Sequence, residues 1–151
     1  RTGVAISQES LRFVRLDDLG QWLPTVIRED KKAVEIFAKT FKDLEKLQLE
    51  LAKHFELDSD KKPFGWKLVV SSAMRGIAPV GLATTIGWSA NPRTLRWVIE
   101  MRTHPTAEEE IRLVFGKVAA IMIKRYPHLF GDFEKEIVDG LPYYKPKHSK
   151  I

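Results

Sequence analysis

The sequence predicts a mixed α/β (α+β) fold, rich in helix and with only a small mixed sheet. Its 151 residues, 44% hydrophobic and 30% charged, are typical of one globular domain over residues 1–151. Most segments show helical periodicity or helix-capping residues, whereas few alternate in the manner of strands. The strands are too few for a complete sheet, a pattern typical of a chain that starts in the middle of one.

The first third of the chain predicts one strand and one long helix. Residues Arg1–Leu16 are interpreted as loop plus strand, with Arg12–Leu16 as the strand. Pro24 and the charged run Arg28–Lys32 precede a long helix. The helix is indicated by one apolar stripe at spacings of three, four and seven, which consists of Phe37, Phe41, Leu44, Leu51 and Phe55.

The middle of the chain predicts a helix and a strand after a polar turn over Leu57–Phe64. The helix covers Gly65–Arg75 and ends near Gly76. The strand covers Gly81–Ala90, and the small residues on one of its faces indicate close approach by a neighbour or ligand.

Asn91 and Pro92 predict the start of the next helix, with Asn91 as N-cap and Pro92 in the first helical position. This helix is expected to reach Thr103, because Pro105 prevents its continuation.

The last third predicts two more helices and an extended or frayed tail. Thr106–Glu109 matches a capping box that opens the first of these helices, and Pro127 closes it. A short helix is expected over Asp132–Val138, before a tail rich in proline and lysine. The apolar positions of the first helix that are expected to face a core are Ile111, Val114, Phe115, Val118 and Met122.

The composition narrows the possible functions. Cysteine is absent, which excludes disulfides, thiolate metal sites and a cysteine nucleophile in these residues and fits a cytoplasmic protein. No apolar run is long enough to span a bilayer, and the four histidines show no metal-ligand spacing, so neither membrane nor metal is expected. The net charge of +5 suggests an anionic partner, but no nucleic-acid-binding motif occurs, so nucleic acid is not expected.

Two segments are candidates for binding an anion. Ser7–Arg12 combines short polar side chains with an arginine, which suits a phosphate and a base edge. On local chemistry alone a hydrophilic turn before a strand is the better explanation, because such patterns are common. Arg75, at a predicted helix end, suits either a phosphate or the negative end of the helix dipole. Arg93 and Arg102 lie on roughly opposite sides of one helix, at about 100° per residue, with Arg96 between them. One helix serving two anionic sites would explain this.

The stretch Arg75–Arg102 resembles the pattern of flavin-dependent thymidylate synthases. The matching letters are RGIAPVGLATT from Arg75, WSANPRTL from Trp88 and EMR ending at Arg102. AEEEIR from Ala107 resembles the family's AQWEIR, and SQESLRF from Ser7 resembles the end of its signature motif. The resemblance covers nearly the whole chain and implies the C-terminal two-thirds of the family's fold, with the N-terminal part missing.

The resemblance also implies site residues. Arg102 and Ser10 would be catalytic, with Arg102 polarising the pyrimidine, while Arg75 and Arg12 would bind the phosphate of deoxyuridylate (dUMP). The spacing from Arg1 to Ser10 is one residue longer than in the family, so Glu9 is an alternative to Gln8. The full set for dUMP is Gln8, Ser10, Leu11, Arg12, Arg75 and Arg102. The set for FAD is Arg1, Asn91, Arg93 and Trp97.

The activity implied by the resemblance is the conversion of dUMP to dTMP. FAD would be the cofactor, with NADPH as reductant and methylenetetrahydrofolate as carbon donor, in a homotetramer whose sites form between subunits. No protein nucleophile is needed, in agreement with the absence of cysteine. The alternative is a truncated or degenerate relative that acts as a nucleotide-binding or assembly module without turnover. A basic nucleic-acid-binding domain is a third, unrelated possibility.

Overall fold

The computed structural model describes residues 3–11, 16 and 18–149. These residues form a mixed α/β structure that is 53% helical with small two-stranded sheets, as the sequence predicts. The chain divides into two compact units, one built from residues up to 6 together with 87 onwards, the other from residues 7–86. The assignment of residues 1–151 to a single domain stays a prediction.

The unit of residues 7–86 is organised around a long helix. Helix α2 (Lys31–His54) follows the short helix α1 (Thr25–Arg28), and Asp30 caps it by accepting from the N–H groups of Lys32 and Ala33. Helix α3 (Phe64–Met74) continues into a 3-10 turn at Arg75–Ile77. The predicted helix Gly65–Arg75 is therefore confirmed to within one residue at each end. The small core of this unit consists of Ala52, Leu57 and Val70, with Phe55, Trp66 and Met74 packed against it.

Strands β1 (Val4–Gln8) and β2 (Ile86–Ala90) form the first two-stranded sheet. Beyond their ends, the Asn91 N–H donates to the Gly3 carbonyl at 3.0 Å, and the Glu9 N–H donates to the Thr85 carbonyl at 2.9 Å. The prediction of a strand over all of Gly81–Ala90 is thus wrong in its first half. In that half the described residues form an isolated bridge, Gln21 to Leu82, in place of a strand. The strand predicted over Arg12–Leu16 lies, except for Leu16, outside the described residues.

The other unit packs two helices against a hairpin. Helix α4 (Pro92–Thr103), helix α5 (Glu109–Arg125) and the short helix α6 (Pro127–Phe130) precede the antiparallel pair of β3 (Phe133–Val138) and β4 (Leu141–Pro146). The buried core between them consists of Leu95, Ile99, Ala119, Phe130, Phe133 and Tyr144.

The hairpin corrects the prediction of a helix over Asp132–Val138. The tail after it, predicted to be extended or frayed, is extended in strand β4. Val138 pairs with Leu141, so Asp139 and Gly140 form a two-residue turn, and both have positive φ (53° and 75°). Asp-Gly is a strong sequence signal for such a turn, because its second residue tolerates the left-handed conformation without strain. That signal outweighs the weak helical pattern before it.

Helix α5 corrects two finer predictions. Its N-cap is Glu108 rather than Thr106, and no side chain caps it. Thr106 does not form a capping box because its N–H and hydroxyl both contact Nδ1 of His104, at 3.3 and 2.8 Å. Val114 is exposed rather than in the core, whereas Phe115, Val118 and Met122 pack against the core as predicted.

Arg112 joins α5 to the hairpin. Only 4% of the residue is exposed, and its Nη2 donates to the Val138 carbonyl at 2.8 Å. Among the described residues its Nε has no hydrogen-bond partner. Because leaving a buried carbonyl without a donor costs free energy, this contact stabilises the position of the β3–β4 turn on the helix.

Candidate nucleotide-binding site

The start of helix α4 is fixed by its cap, as the sequence predicts. Oδ1 of Asn91 accepts from the Thr94 N–H at 2.9 Å, and Pro92 occupies the first turn. Gly3 lies directly against this cap, because a Cβ on Gly3 would come within 2.4 Å of the Asn91 amide nitrogen. The cap satisfies an otherwise free N–H of the first turn and so determines where Arg93 leaves the helix.

A pocket of about 520 Å³ lies along α4 and contains two residues assigned to FAD. Arg93, Trp97 and Glu100 follow one another at spacings of four and three, which places them on one side of the helix. Trp97 is 48% exposed, so its ring is available to a ligand. The other residues that line the pocket are Pro92, Arg96, Leu129, Pro146, His148 and Ser149.

Arg96 differs from its neighbours because it is held in a bidentate ion pair. Its Nη1 and Nη2 lie 2.5 and 2.7 Å from the two carboxylate oxygens of Asp132, and Nη1 also contacts the Leu129 carbonyl. The guanidinium lies 4.8 Å from the centre of the Phe133 ring. The hydrogen bond from Arg96 lowers the pKa of Asp132 from its usual 3.8 to about 2, against the effect of burial.

Two arginines line this pocket, Arg93 and Arg96, and Arg96 is paired with Asp132. The positive charge of Arg93 has no such partner among the described residues. Within residues 3–11, 16 and 18–149, the Arg93 side chain makes no hydrogen bond or ion pair, and it is exposed. The paired charge of Arg96 is already neutralised by Asp132, so Arg96 serves to join α4 to the hairpin. The sequence alone grouped Arg96 with the anion-binding arginines, and the structure separates it from them.

Arg102 is exposed in the last turn of α4 and does not line this pocket. Its neighbour Thr103 is fully buried, where its hydroxyl donates to the Ile99 carbonyl at 2.8 Å and accepts from the Tyr144 N–H at 3.0 Å. The buried threonine therefore anchors the end of the helix while the arginine beside it stays accessible. This agrees with the predicted separation of Arg93 and Arg102.

The remaining residues assigned to dUMP belong to the unit of residues 7–86. Gln8 ends strand β1, and Ser10 and Leu11 follow shortly after it. Gln8 and Ser10 are exposed. Arg75 follows α3 and is exposed, with its Nε 3.4 Å from the Ser72 carbonyl. Arg1 and Arg12 lie outside the described residues. The assignment of Gln8, Ser10, Leu11 and Arg75 to one substrate with Arg102 stays a prediction.

A second pocket of about 520 Å³ in the unit of residues 7–86 was not predicted from the sequence. Gln48, only 2% exposed, lines it and donates from Nε2 to the Met74 carbonyl at 3.0 Å. Its Oε1 has no partner among the described residues. The sequence does contain one indication that Gln48 is buried, since it lies on the apolar stripe of α2, between Leu44 and Leu51. The other residues that line this pocket are Leu16, Leu49, Ala52, Lys53, Glu56, Asp58, Ser59 and Met74.

Metal-binding clusters and membrane-spanning helices are both absent from the described part of the chain. No three His, Cys, Asp or Glu side chains there are placed to hold a metal ion. No helix among the same residues has the length and apolar character to cross a membrane.

Comparison with known proteins identifies the family. The family model described as "Thymidylate synthase complementing protein" matches residues 1–128. The flavin-dependent thymidylate synthase of Corynebacterium glutamicum is 32% identical over 139 residues, covering 90% of this chain and 56% of that protein. That of Mycobacteroides abscessus is 28% identical over 137 residues, covering 89% and 55%. The chain thus spans about half the length of these relatives.

Solved structures agree at the level of the fold. A flavin-dependent thymidylate synthase from Helicobacter pylori, complexed with FAD and dUMP, superposes with a TM-score of 0.57 at 17% identity. The match covers 87% of this chain and 62% of that one. A second structure of the enzyme from the same organism, also with FAD and dUMP, gives a TM-score of 0.56. The family match includes the whole stretch Arg75–Arg102, and the chain belongs to the thymidylate synthase complementing protein family, that of the flavin-dependent thymidylate synthases.

Proposed function

We propose that this chain carries the C-terminal part of an FAD-dependent thymidylate synthase that converts dUMP to dTMP. Methylenetetrahydrofolate would be the carbon donor and NADPH the reductant. The observation that carries the proposal is helix α4, which presents Arg93 and Trp97 in one pocket and Arg102 outside it. Family membership alone would not assign ligands to this chain. The arrangement of these three side chains supplies the chemistry that two nucleotide ligands need.

The pocket along α4 fits part of a flavin nucleotide. Its volume of about 520 Å³ lies within the range of small-molecule sites, roughly 300–1,000 Å³. The Trp97 ring offers a face for a planar ring, and Arg93 offers an unpaired cation for a phosphate. Asn91 uses its carbonyl oxygen in the helix cap, so only its NH₂ group is free to donate to a ligand. When bound, FAD would pass reducing equivalents from NADPH to the methylene group.

The residues assigned to dUMP would act by positioning and charge. Arg75 and Arg12 would bind the phosphate, with Gln8, or Glu9 in its place, and Ser10 and Leu11 beside it. Arg102 would donate hydrogen bonds to the uracil ring and stabilise the negative charge that develops on it. Its exposed guanidinium next to the anchored Thr103 supports this role, because a fixed backbone keeps the donors in place.

We also propose that the protein is a cytoplasmic homotetramer with active sites between subunits. Large apolar side chains are exposed in both units, among them Val69, Trp97 and Ile137. Assembly would remove part of this apolar surface from water, which favours association. An assembly would also bring residues of one subunit to ligands held by another.

The alternative function is a nucleotide-binding or assembly module without turnover. In that case dUMP binding would persist without flavin chemistry.

The absorbance spectrum of the purified intact protein separates these functions. We expect flavin bands, identified as FAD after release, together with dUMP binding measured by calorimetry. A colourless protein that still binds dUMP would favour the module. A protein that binds neither, but binds DNA in a salt-sensitive manner, would favour the nucleic-acid-binding domain instead.

A further inference from the structure

The segment that follows β4 forms part of the pocket that contains Arg93 and Trp97. Pro146, His148 and Ser149 all line it. This segment lies past residue 128, where the match to the family model ends. The pocket is therefore built from α4 together with a part of the chain that the family match does not include.

Hydrogen bonds hold this segment on both sides of His148. Before it, the Lys147 N–H donates to the Asp132 carbonyl at 3.0 Å. The His148 N–H itself lies 3.4 Å from Oδ2 of Asp132, whose carboxylate is fixed by Arg96. After it, the Ser149 hydroxyl donates to Glu100 on α4 at 3.1 Å. A segment anchored in this way positions its side chains before a ligand binds.

The imidazole of His148 is exposed, and the described residues provide it with no hydrogen-bond partner. A histidine ring carries at least one N–H donor in either tautomer and two when it is protonated. The backbone of this residue is thus fixed while its ring is free to contact a ligand in the pocket.

The charges around the pocket indicate which ligand group such a donor would meet. Arg93 is an unpaired cation, whereas Arg96 is neutralised by Asp132. Glu100 is the opposing charge, and it lies seven residues after Arg93, about 10 Å further along the helix axis. An anionic group is therefore favoured towards Arg93 and disfavoured towards Glu100. With the exposed Trp97 ring between the two, the pocket suits an aromatic ring that carries a phosphate.

We propose that His148 is a ligand-binding residue of this pocket and donates a ring N–H to a phosphate group of the flavin nucleotide. This assignment rests on the proposed function, since it takes FAD as the ligand. Asp132 is a positioning residue in this arrangement, because it holds the His148 backbone and touches no ligand itself.

Equilibrium binding of FAD to the intact apoprotein, followed by flavin fluorescence, tests the proposal. We expect His148→Ala to raise the Kd for FAD about tenfold, as for the loss of one charge-assisted hydrogen bond. His148→Gln keeps an N–H donor and should recover much of the affinity. His128→Ala, at an exposed histidine of the same unit that does not line the pocket, should leave the Kd unchanged.

Riboflavin and dUMP serve as probes that separate the alternatives. Riboflavin has no phosphate, so His148→Ala should not weaken its binding, and equal losses for riboflavin and FAD would reject the phosphate contact. A loss of dUMP affinity instead of FAD affinity would assign His148 to the other ligand and overturn the proposal. Unchanged melting temperatures would show that the variants are folded. Failure of the wild-type protein to bind FAD would reject the proposed function, whereas normal FAD binding by His148→Ala would reject this inference alone.

Discussion

Arg96 on helix α4 and Asp132, just before strand β3, form a two-point ion pair with N–O distances of 2.5 and 2.7 Å. Their side chains are only 24% and 22% exposed, so the pair is shielded from most of the solvent. Arg96 also faces the Phe133 ring, and Asp132 accepts from the His148 N–H. The pair therefore joins the helix that carries Arg93 and Trp97 to the residues just before β3 and just after β4.

We expect this pair to make the protein sensitive to acid. Because the pKa of Asp132 is lowered from 3.8 to about 2, its contribution is fully present above pH 4 and is lost as the pH falls through 2. Allowing for the solvent that still reaches the pair, a shift of this size corresponds to about 1–2 kcal/mol. Asp132→Asn should lose about this much free energy of unfolding at pH 7, and its stability should fall less than that of the wild type between pH 4 and 2.

Denaturant unfolding measured from pH 7 to pH 2 tests this expectation. Glu134→Gln provides the matched control, since Glu134 pairs with Lys147 at 3.2 Å on the surface with both side chains about 60% exposed. That variant should change the unfolding free energy by less than about 0.5 kcal/mol. Equal losses in the two variants would contradict the structural role of Asp132.

Two helical glycines should respond differently to substitution by alanine, because one packs against β4 and the other has open space around it. A Cβ on Gly116 would lie 2.8 Å from Cγ of Pro142, so Gly116→Ala should destabilise the protein by about 1–3 kcal/mol despite alanine's higher helix propensity. Gly65, in α3, has nothing within 4 Å of such a Cβ. Gly65→Ala should be neutral or stabilising by up to about 1 kcal/mol. Thermal unfolding of both variants compares them directly, and a stabilising Gly116→Ala would show that the two elements are not in close contact.

The buried hydroxyl of Thr103 predicts a requirement for a polar atom at this position. Thr103→Val has nearly the same shape but removes the acceptor of the Tyr144 N–H. A buried N–H without a partner costs about 1–3 kcal/mol, so the variant should be less stable by that amount. Thr103→Ser keeps the hydroxyl and should lose less. Chemical denaturation of the two variants measures the difference, and a valine variant as stable as the wild type would contradict the bond.

Features of the fold that depend on neighbouring residues are the ones that the sequence predicts. The start of α4 was predictable because Asn91 and Pro92 cap the helix within one turn, a geometry that short-range rules describe well. The hairpin is not predicted, because a short helix is expected over Asp132–Val138, where the structure has strand β3. The Asp139-Gly140 turn was the decisive local signal, and it fixes the register in which Val138 meets Leu141.

The sequence groups site residues only where they share one helix. The spacing of four between Arg93 and Trp97 places both on one side of α4, and both line one pocket, while their assignment to FAD stays a prediction. The pairing of Arg96 with Asp132 joins residues 36 positions apart, and the sequence gives no means of matching such partners. His148 was missed for the same reason, since its place beside α4 depends on the hairpin that was not predicted.

Arg102 has the proposed role of polarising the uracil ring. Arg102→Ala should reduce NADPH oxidation coupled to dTMP formation by about 100-fold or more, because it removes a cation that stabilises developing charge. Flavin content should not change, since Arg102 does not line the pocket of Arg93 and Trp97. Arg125→Ala is the matched control, because Arg125 is also an exposed arginine in the last turn of a helix. Steady-state assays of dTMP formation, with bound flavin measured in parallel, distinguish the outcomes. Loss of flavin together with activity would assign Arg102 to the cofactor, and full activity of Arg102→Ala would remove it from the site.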